Sequence, residues 1–261
     1  MRLPENAYLK TASMAAAAFF DTPFFLLEYA LRFLRVLVLL ALWRTVLASH
    51  ATGSMTLPQV LTYTFIAEVF AAQLNLRTSL NDAMWDGTLV IRFLRPMGLI
   101  RQLAAEMAGR WSIDLVLFSL PLFAIAPLLG VDPRPASPPH AILFITSLAL
   151  SIVVGLALEQ FSGAIVVAFE QPVWLVDYVR VAIATVLSGQ LLPLAYYPAG
   201  IGELFSWLPF AATTWAPLAI YTGAGNPPLL IATQLFWGIT LWPIANWIWR
   251  ANREKLASYG G

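Results

Sequence analysis

Cysteine is absent from this chain, which excludes disulfides, thiolate metal sites and thiol catalysis. Charge is scarce. Only 11% of the residues are Asp, Glu, Lys or Arg, against roughly 25% in soluble domains. Lysine occurs only at Lys10 and Lys255, and histidine only at His50 and His140. The two histidines are far apart and both fall near expected outer loops, so no metal site is expected. No phosphate-cradling G-x-x-x-x-G-K-[ST] loop, no H-E-x-x-H and no G-x-S-x-G is present. The chain therefore has no ATP site of its own. If it moves a solute against a gradient, a partner or an ion supplies the energy. The net charge of +1 says nothing about partners, and no basic stripe points to nucleic acid. No secretory signal peptide is evident.

What the chain has is apolar sequence, at 59% hydrophobic residues and a mean hydropathy of +0.74. Its cations are sorted. All lysines and arginines except Arg44 and Arg134 fall where an even number of membrane crossings would face the cytoplasm. Arginine and lysine resist translocation, so this bias sets orientation. The pattern predicts an all-α integral membrane protein of one domain, 1–261, with six transmembrane helices and both termini inside.

Residues 1–22 read as an amphipathic helix in the cytoplasmic interface. Asp21-Thr22-Pro23 signals a helix start, so the first span covers Phe24 to Ala48. Glu28 and Arg32, four apart, are placed to pair, and Arg35 and Arg44 can snorkel to opposite interfaces. The second span runs from Pro58 to about Leu76, the third from about Met107 to Leu129. The fourth, Ala141 to Phe169, exceeds what the hydrocarbon requires. The fifth covers about Tyr178 to Leu192 and the sixth Leu229 to Trp249. Residues 193–228 carry no Lys or Arg and many Pro, Gly and aromatic residues. They are too apolar for an ordinary loop and too broken for a spanning helix, which predicts re-entrant helices on the outer side.

Three carboxylates fall inside expected spans: Glu68, Asp114 and Glu159. Ionisable groups in hydrocarbon are costly, so each is a candidate for the transport pathway. The plainer reading of each is a carboxylate bonded to Ser, Thr or Arg in the bundle, or sitting near an interface. The sharpest motif lies in the cytoplasmic segment 77–106. Asp82-Ala-Met-Trp85-Asp86-Gly87 leads through Arg92, Leu94 and Arg95 to Pro96. A glycine-punctuated amphipathic elbow between two spans suits docking on a soluble motor. Its apolar side would fill a groove and its arginines would form charge-assisted hydrogen bonds. Anchoring to lipid headgroups is the alternative.

These residues resemble the membrane-spanning permease subunits of ATP-binding-cassette transporters, of the type-two, export-type group. Trp85-Asp-Gly87 with Leu94-Arg-Pro96 is similar to the family's elbow after span two. Leu187-Ser-Gly189-Gln-Leu-Leu-Pro193-Leu-Ala-Tyr196-Tyr197-Pro198, followed by Leu208-Pro209-Phe210, is similar to its outer stretch. The tail closing on Tyr259-Gly-Gly261 is the third likeness. Tyr196-Tyr197 departs from the aliphatic residues or Phe more usual there. The resemblance implies a pathway formed with a second permease, itself or a homologous chain. It also implies two cytoplasmic ATPase subunits that bind Mg-ATP and a coupling role for Asp82 to Pro96. An outer gate would involve Gly189, Pro193, Tyr196, Tyr197, Pro198, Pro209 and Phe210. It points to a bacterial cytoplasmic membrane and an amphipathic cargo such as a drug, lipid or glycan. Two other readings stand beside it. One is an ion-coupled carrier acting alone. The other is an intramembrane enzyme of lipid or peptide chemistry using Glu68, Asp114 and Glu159, which would need those three to converge.

Overall fold

The computed structural model describes residues 7–20, 24–49 and 55–252. Part of the expected interfacial segment, the Asp21-Thr22-Pro23 signal, His50 and the tail from Arg253 to Gly261 lie outside them. The described residues contain helices and no strand.

The first helix, α1 (Ala7–Phe19), turns Thr11, Ala12, Ala15, Ala16 and Phe19 inward and Leu9 and Met14 outward. Helix α2 (Phe25–Ser49) follows. Helix α3 (Leu57–Val69) starts with a Thr56–Gln59 capping box and breaks at Phe70 into the single turn α4 (Ala71–Leu74). The short helices α5 (Leu80–Trp85) and α6 (Leu89–Leu94) form the elbow. Helix α7 (Leu99–Asp114) continues through a π-helical turn, Leu115–Ser119, into α8 (Leu120–Ala124). Pro121 explains that irregularity, because proline has no N–H and its ring crowds the carbonyl four residues earlier.

Helix α9 (Pro138–Phe169) is the longest, at 32 residues, or about 48 Å at 1.5 Å per residue. Helix α10 (Val173–Leu187) ends at the buried Gly189. After two 3-10 turns, Leu194–Tyr196 and Pro198–Gly200, come α11 (Ile201–Ser206), α12 (Pro209–Thr213) and α13 (Trp215–Thr222). Helix α14 (Pro227–Ala251) closes the described chain.

Among the described residues three helices are long and apolar enough to cross a membrane: Leu99–Ala124, Pro138–Phe169 and Pro227–Ala251. Helix α2 matches α14 in length but carries Glu28, Arg32, Arg35 and Arg44. The expected second and fifth spans differ from continuous crossings. Helix α3 has 13 residues and α10 has 15, about 20 and 22 Å, short of the roughly 30 Å hydrocarbon core. The third expected span begins earlier, at Leu99. Residues 99–106, grouped with the cytoplasmic segment on charge, are therefore part of a long helix. Arginines and glutamine at its start dilute the apolar signal without stopping the helix.

The centre of the protein is α3 and α13. Val60, Tyr63, Phe65, Ile66, Leu218 and Ile220 are almost fully buried there and share one apolar cluster. Helices α2, α9 and α14 surround it and turn Leu31, Leu34, Ile142, Ile145, Phe236 and Ile239 outward. An apolar exterior of this kind suits a hydrocarbon surrounding.

Helix α1 lies against α7 through small residues. A Cβ at Gly109 would collide with the backbone carbonyl of Ala12. Small residues let helix backbones approach this closely. Gly109→Val is expected to push α1 off α7 at a cost of about 1–3 kcal/mol, the usual range for overpacking. Because the chain has no native cysteine, a thiol introduced at Ala16 reports the change. Its maleimide labelling should rise several-fold in the valine variant, and an unchanged rate would show that α1 stays seated.

Candidate coupling and pathway site

The elbow has an inner and an outer side. Leu80, Ala83, Met84 and Leu89 are buried against Leu103, Val166, Val167 and Val173, which fixes the elbow to α7, α9 and α10. Gly87 makes the turn between α5 and α6 at φ +68°, a left-handed conformation that glycine adopts without a Cβ penalty. On the outer side Trp85 is 67% exposed, Ile91 57%, Phe93 50% and Leu94 80%. Asp82, Asp86, Arg95 and Pro96 are exposed as well, and Gly87 is half-buried.

Arg92 behaves differently from the expectation that the elbow arginines face a partner. Its guanidinium turns inward and donates to both Glu106 oxygens at 3.0 and 3.1 Å. Both side chains of this pair are mostly buried. Beside it Gln102, which is fully buried, donates through Nε2 to the carbonyls of Arg92 (2.8 Å) and Met97. These carbonyls end α6 and its exit turn, so Gln102 satisfies groups that the backbone leaves open. Arg95 makes only a 3.5 Å contact with Gln102 Oε1. The elbow is thus pinned from within by Arg92 and Gln102, while its exposed surface carries Trp85, Ile91, Phe93 and Leu94 among the charged Asp82, Asp86 and Arg95.

A chain of polar contacts leads from the elbow into the helices. Glu106 also accepts a hydrogen bond from Ser79. The neighbouring Thr78 donates to Glu159 on α9 at 3.3 Å. Glu159 is 1% exposed and pairs with Arg180 of α10 at 2.8 Å. Arg180 also holds Asp177 at 2.8 Å. Asp177 in turn binds Arg77 (2.6 Å) and Asn81 (3.0 Å). Glu159 is therefore a junction of α9, α10 and the segment entering the elbow.

Glu68 and Asp114 belong to a second cluster. Arg35 pairs with Glu68 at 3.0 Å, and Arg32 pairs with Asp114. Arg32 also reaches the carbonyl of Glu68 at 3.5 Å. The Glu28–Arg32 pair expected from helical spacing does not form. Arg32 is drawn to the buried Asp114 and lies over the Phe118 ring, 4.0 Å from its centroid. Phe118 stacks on Tyr29, and Tyr29 on Phe19, which joins α1 and α2 to the π-helical turn. Arg44, near the far end of α2, donates to the carbonyls of Leu129 and Gly130.

At the opposite end the proline-rich stretch folds into short helices, and residues 211–222 are buried throughout. Tyr63 of α3 donates to the carbonyl of Gly189 at 2.8 Å. Tyr196 donates to Met55 and Tyr197 to Val186, at 2.9 and 2.7 Å. The tyrosine pair thus ties this stretch to the start of α3 and the end of α10. Pro193 is buried, Pro198 exposed, and Pro209 and Phe210 half-buried at the start of α12. Gln234 of α14 is fully buried and donates to the carbonyls of Ser147 (2.9 Å) and Ala212 (2.8 Å).

A family model described as ABC-2 family transporter protein matches residues 26–260. The chain belongs to the ABC-2 transporter family. It is a membrane-embedded permease component of a transporter, and its family is not one of catalytic enzymes. No curated protein and no solved structure matches the chain.

In this ABC-2 permease the structure keeps Glu159 apart from the cluster that holds Glu68 and Asp114. Arg180, Gln102, Gln234 and Thr78 contribute as well, although none of them is a carboxylate within an apolar run. Their signal was present in the sequence: a glutamine or arginine within an apolar helix needs a partner in the bundle.

Proposed function

We propose that this chain is the permease subunit of an ATP-driven exporter of an amphipathic substrate. Two cytoplasmic ATPase subunits that bind Mg-ATP would power it. A second permease, itself or a homologue, would complete the pathway. The membrane would be the bacterial cytoplasmic membrane, with both termini inside. Helices α2, α3–α4 and α10, with the short outer helices, would complete six crossings and a re-entrant outer cap.

One observation carries this reading. The elbow exposes Trp85, Ile91, Phe93 and Leu94 while Arg92 is turned inward to Glu106. An apolar protrusion locked from behind suits insertion into a groove on a soluble partner. Beside it lies a cavity of about 580 Å³ lined by Met84, Trp85, Gly87 and the α9–α10 turn at Glu170 to Val173. It offers a matching recess for a partner side chain. Movement of the elbow would pass through Glu106 and Ser79–Thr78 to Glu159 and thus to α9 and α10.

The intramembrane-enzyme reading loses its basis. Its three carboxylates do not converge, and each is paired with an arginine. No group of three or more potential metal ligands occurs among the described residues. For the lone-carrier reading no specific observation speaks.

The test is an affinity pull-down of the tagged protein in mild detergent. Co-purification of a soluble ATPase bearing a phosphate-binding loop is the expected result, with any second permease identified alongside. A chain that purifies alone in repeated mild extractions, and transports without ATPase, would overturn the proposal.

A further inference from the structure

We propose that the cavity between the start of α7 and the end of α14 is a binding site for an acidic phospholipid of the cytoplasmic leaflet. This goes beyond the transport reading and rests on it only for the orientation that puts this end of the protein at the cytoplasmic leaflet. The cavity measures about 420 Å³, within the roughly 300–1,000 Å³ of small-molecule sites. Its walls include Leu80, Phe93, Leu103, Leu156 and Trp242, which suits the first part of an acyl chain. Arg101 and Arg250 also line it, and both are exposed.

Neither arginine forms an ion pair among the described residues. The one carboxylate in the lining, Glu159, is already paired with Arg180 at 2.8 Å. The local balance is therefore positive where the apolar cavity opens. Basic pockets between membrane helices at the cytoplasmic interface select anionic headgroups. The start of α7 adds to this. Gly98 caps it without a side-chain hydrogen bond, and Gly98, Leu99 and Ile100 face the same cavity. First-turn amides have no intrahelical acceptor and favour an anion. Trp249, also in the lining, donates its indole N–H to the Gln160 carbonyl at 2.9 Å. It is thereby held at the wall as an amphipathic ring suited to headgroup depth.

A free phosphate would use the arginines and amides but not the apolar wall. A zwitterionic lipid would use the wall but gain less from the arginines. An acidic phospholipid uses both. Its bound phosphate would bridge α7, which continues from the elbow, and α14.

Native mass spectrometry of the full-length protein, released from detergent, tests the site. Phosphatidylglycerol and phosphatidylcholine with the same acyl chains are titrated in parallel. Retention of phosphatidylglycerol about tenfold above phosphatidylcholine is expected, given the attraction of two arginines for an anionic headgroup. The R101Q/R250Q variant should lose that preference and R101K/R250K should keep it. R110Q, which removes an exposed arginine on the same helix away from the cavity, should leave it intact. Equal retention of both lipids would overturn the proposal, as would wild-type preference in R101Q/R250Q. Equal loss in R110Q would reduce the effect to diffuse surface charge, and displacement by inorganic phosphate would identify a free-anion site instead.

Discussion

Replacing Leu94 with glutamate is expected to detach the proposed ATPase partner while leaving the permease folded. Leu94 is the most exposed apolar residue of the elbow, at 80%, so the substitution removes little internal packing. Burying a leucine side chain contributes about 1.5–3 kcal/mol, and a carboxylate forced into the same apolar pocket adds a desolvation cost. A loss of about 3 kcal/mol corresponds to on the order of 100-fold weaker association. Trp85→Ala should act in the same direction, since large aromatic anchors dominate interfaces. Arg95→Ala should also weaken association, because Arg95 is exposed and its one side-chain hydrogen bond is the long one to Gln102, which leaves its guanidinium open to a partner. The measurement is ATPase retention by tagged permease, with thermal unfolding as the control for folding. Wild-type retention by both L94E and W85A would remove the elbow from the docking role.

Arg180→Met is expected to have the largest effect on the permease itself. Arg180 is the counter-charge of Glu159 and Asp177, at 2.8 Å from each, and the Glu159 side chain is only 2% exposed. Without Arg180, Glu159 keeps the Thr78 contact at 3.3 Å and little else. Removing one partner of a buried ion pair costs about 3–5 kcal/mol, because the remaining charge stays buried. The double variant R180M/E159M should regain most of that loss, since replacing both charges by apolar groups of similar size is often neutral. Thermal unfolding of the four forms in detergent gives the comparison as a double-mutant cycle. A single variant that melts like wild type would show that Arg180 does not balance Glu159. If R180M/E159M is stable yet transports poorly, the junction matters for movement rather than for folding.

Much of the architecture was readable from local pattern. Helices α9 and α14 are long apolar runs, and both start at prolines, where the missing N–H is not needed. Gly87 and Pro96 marked the elbow, and the prolines from Pro193 to Pro217 forecast a stretch of short helices. The break at Phe70 was not readable. Val69-Phe-Ala-Ala-Gln73 contains neither glycine nor proline. Donors remote in sequence replace the lost helical bonds instead. Ser119 donates to the carbonyl of Val69 and Trp111 to that of Ala72, at 2.6 and 3.1 Å. Pairing of charges was similarly hidden. Spacing brought Glu28 near Arg32, but Asp114, distant in sequence and buried, needed a counter-charge more than an exposed glutamate did. The role of Arg92 was inverted for a related reason: an amphipathic repeat gives two faces but does not say which one turns inward.

The contact between Gly109 and Ala12 has a mechanical side. Helix α7 continues from the elbow, and α1 lies against it with no room for even a methyl group between them. So close a contact would couple a tilt of one helix to the other. In an interfacial position α1 would act as an outrigger, with Leu9 and Met14 turned outward. Every stroke of the elbow would then sweep a short rod through the headgroup layer. Bilayer stiffness and lateral pressure would become part of the load on the motor, and a change of lipid alone would alter the turnover of an otherwise unchanged transporter.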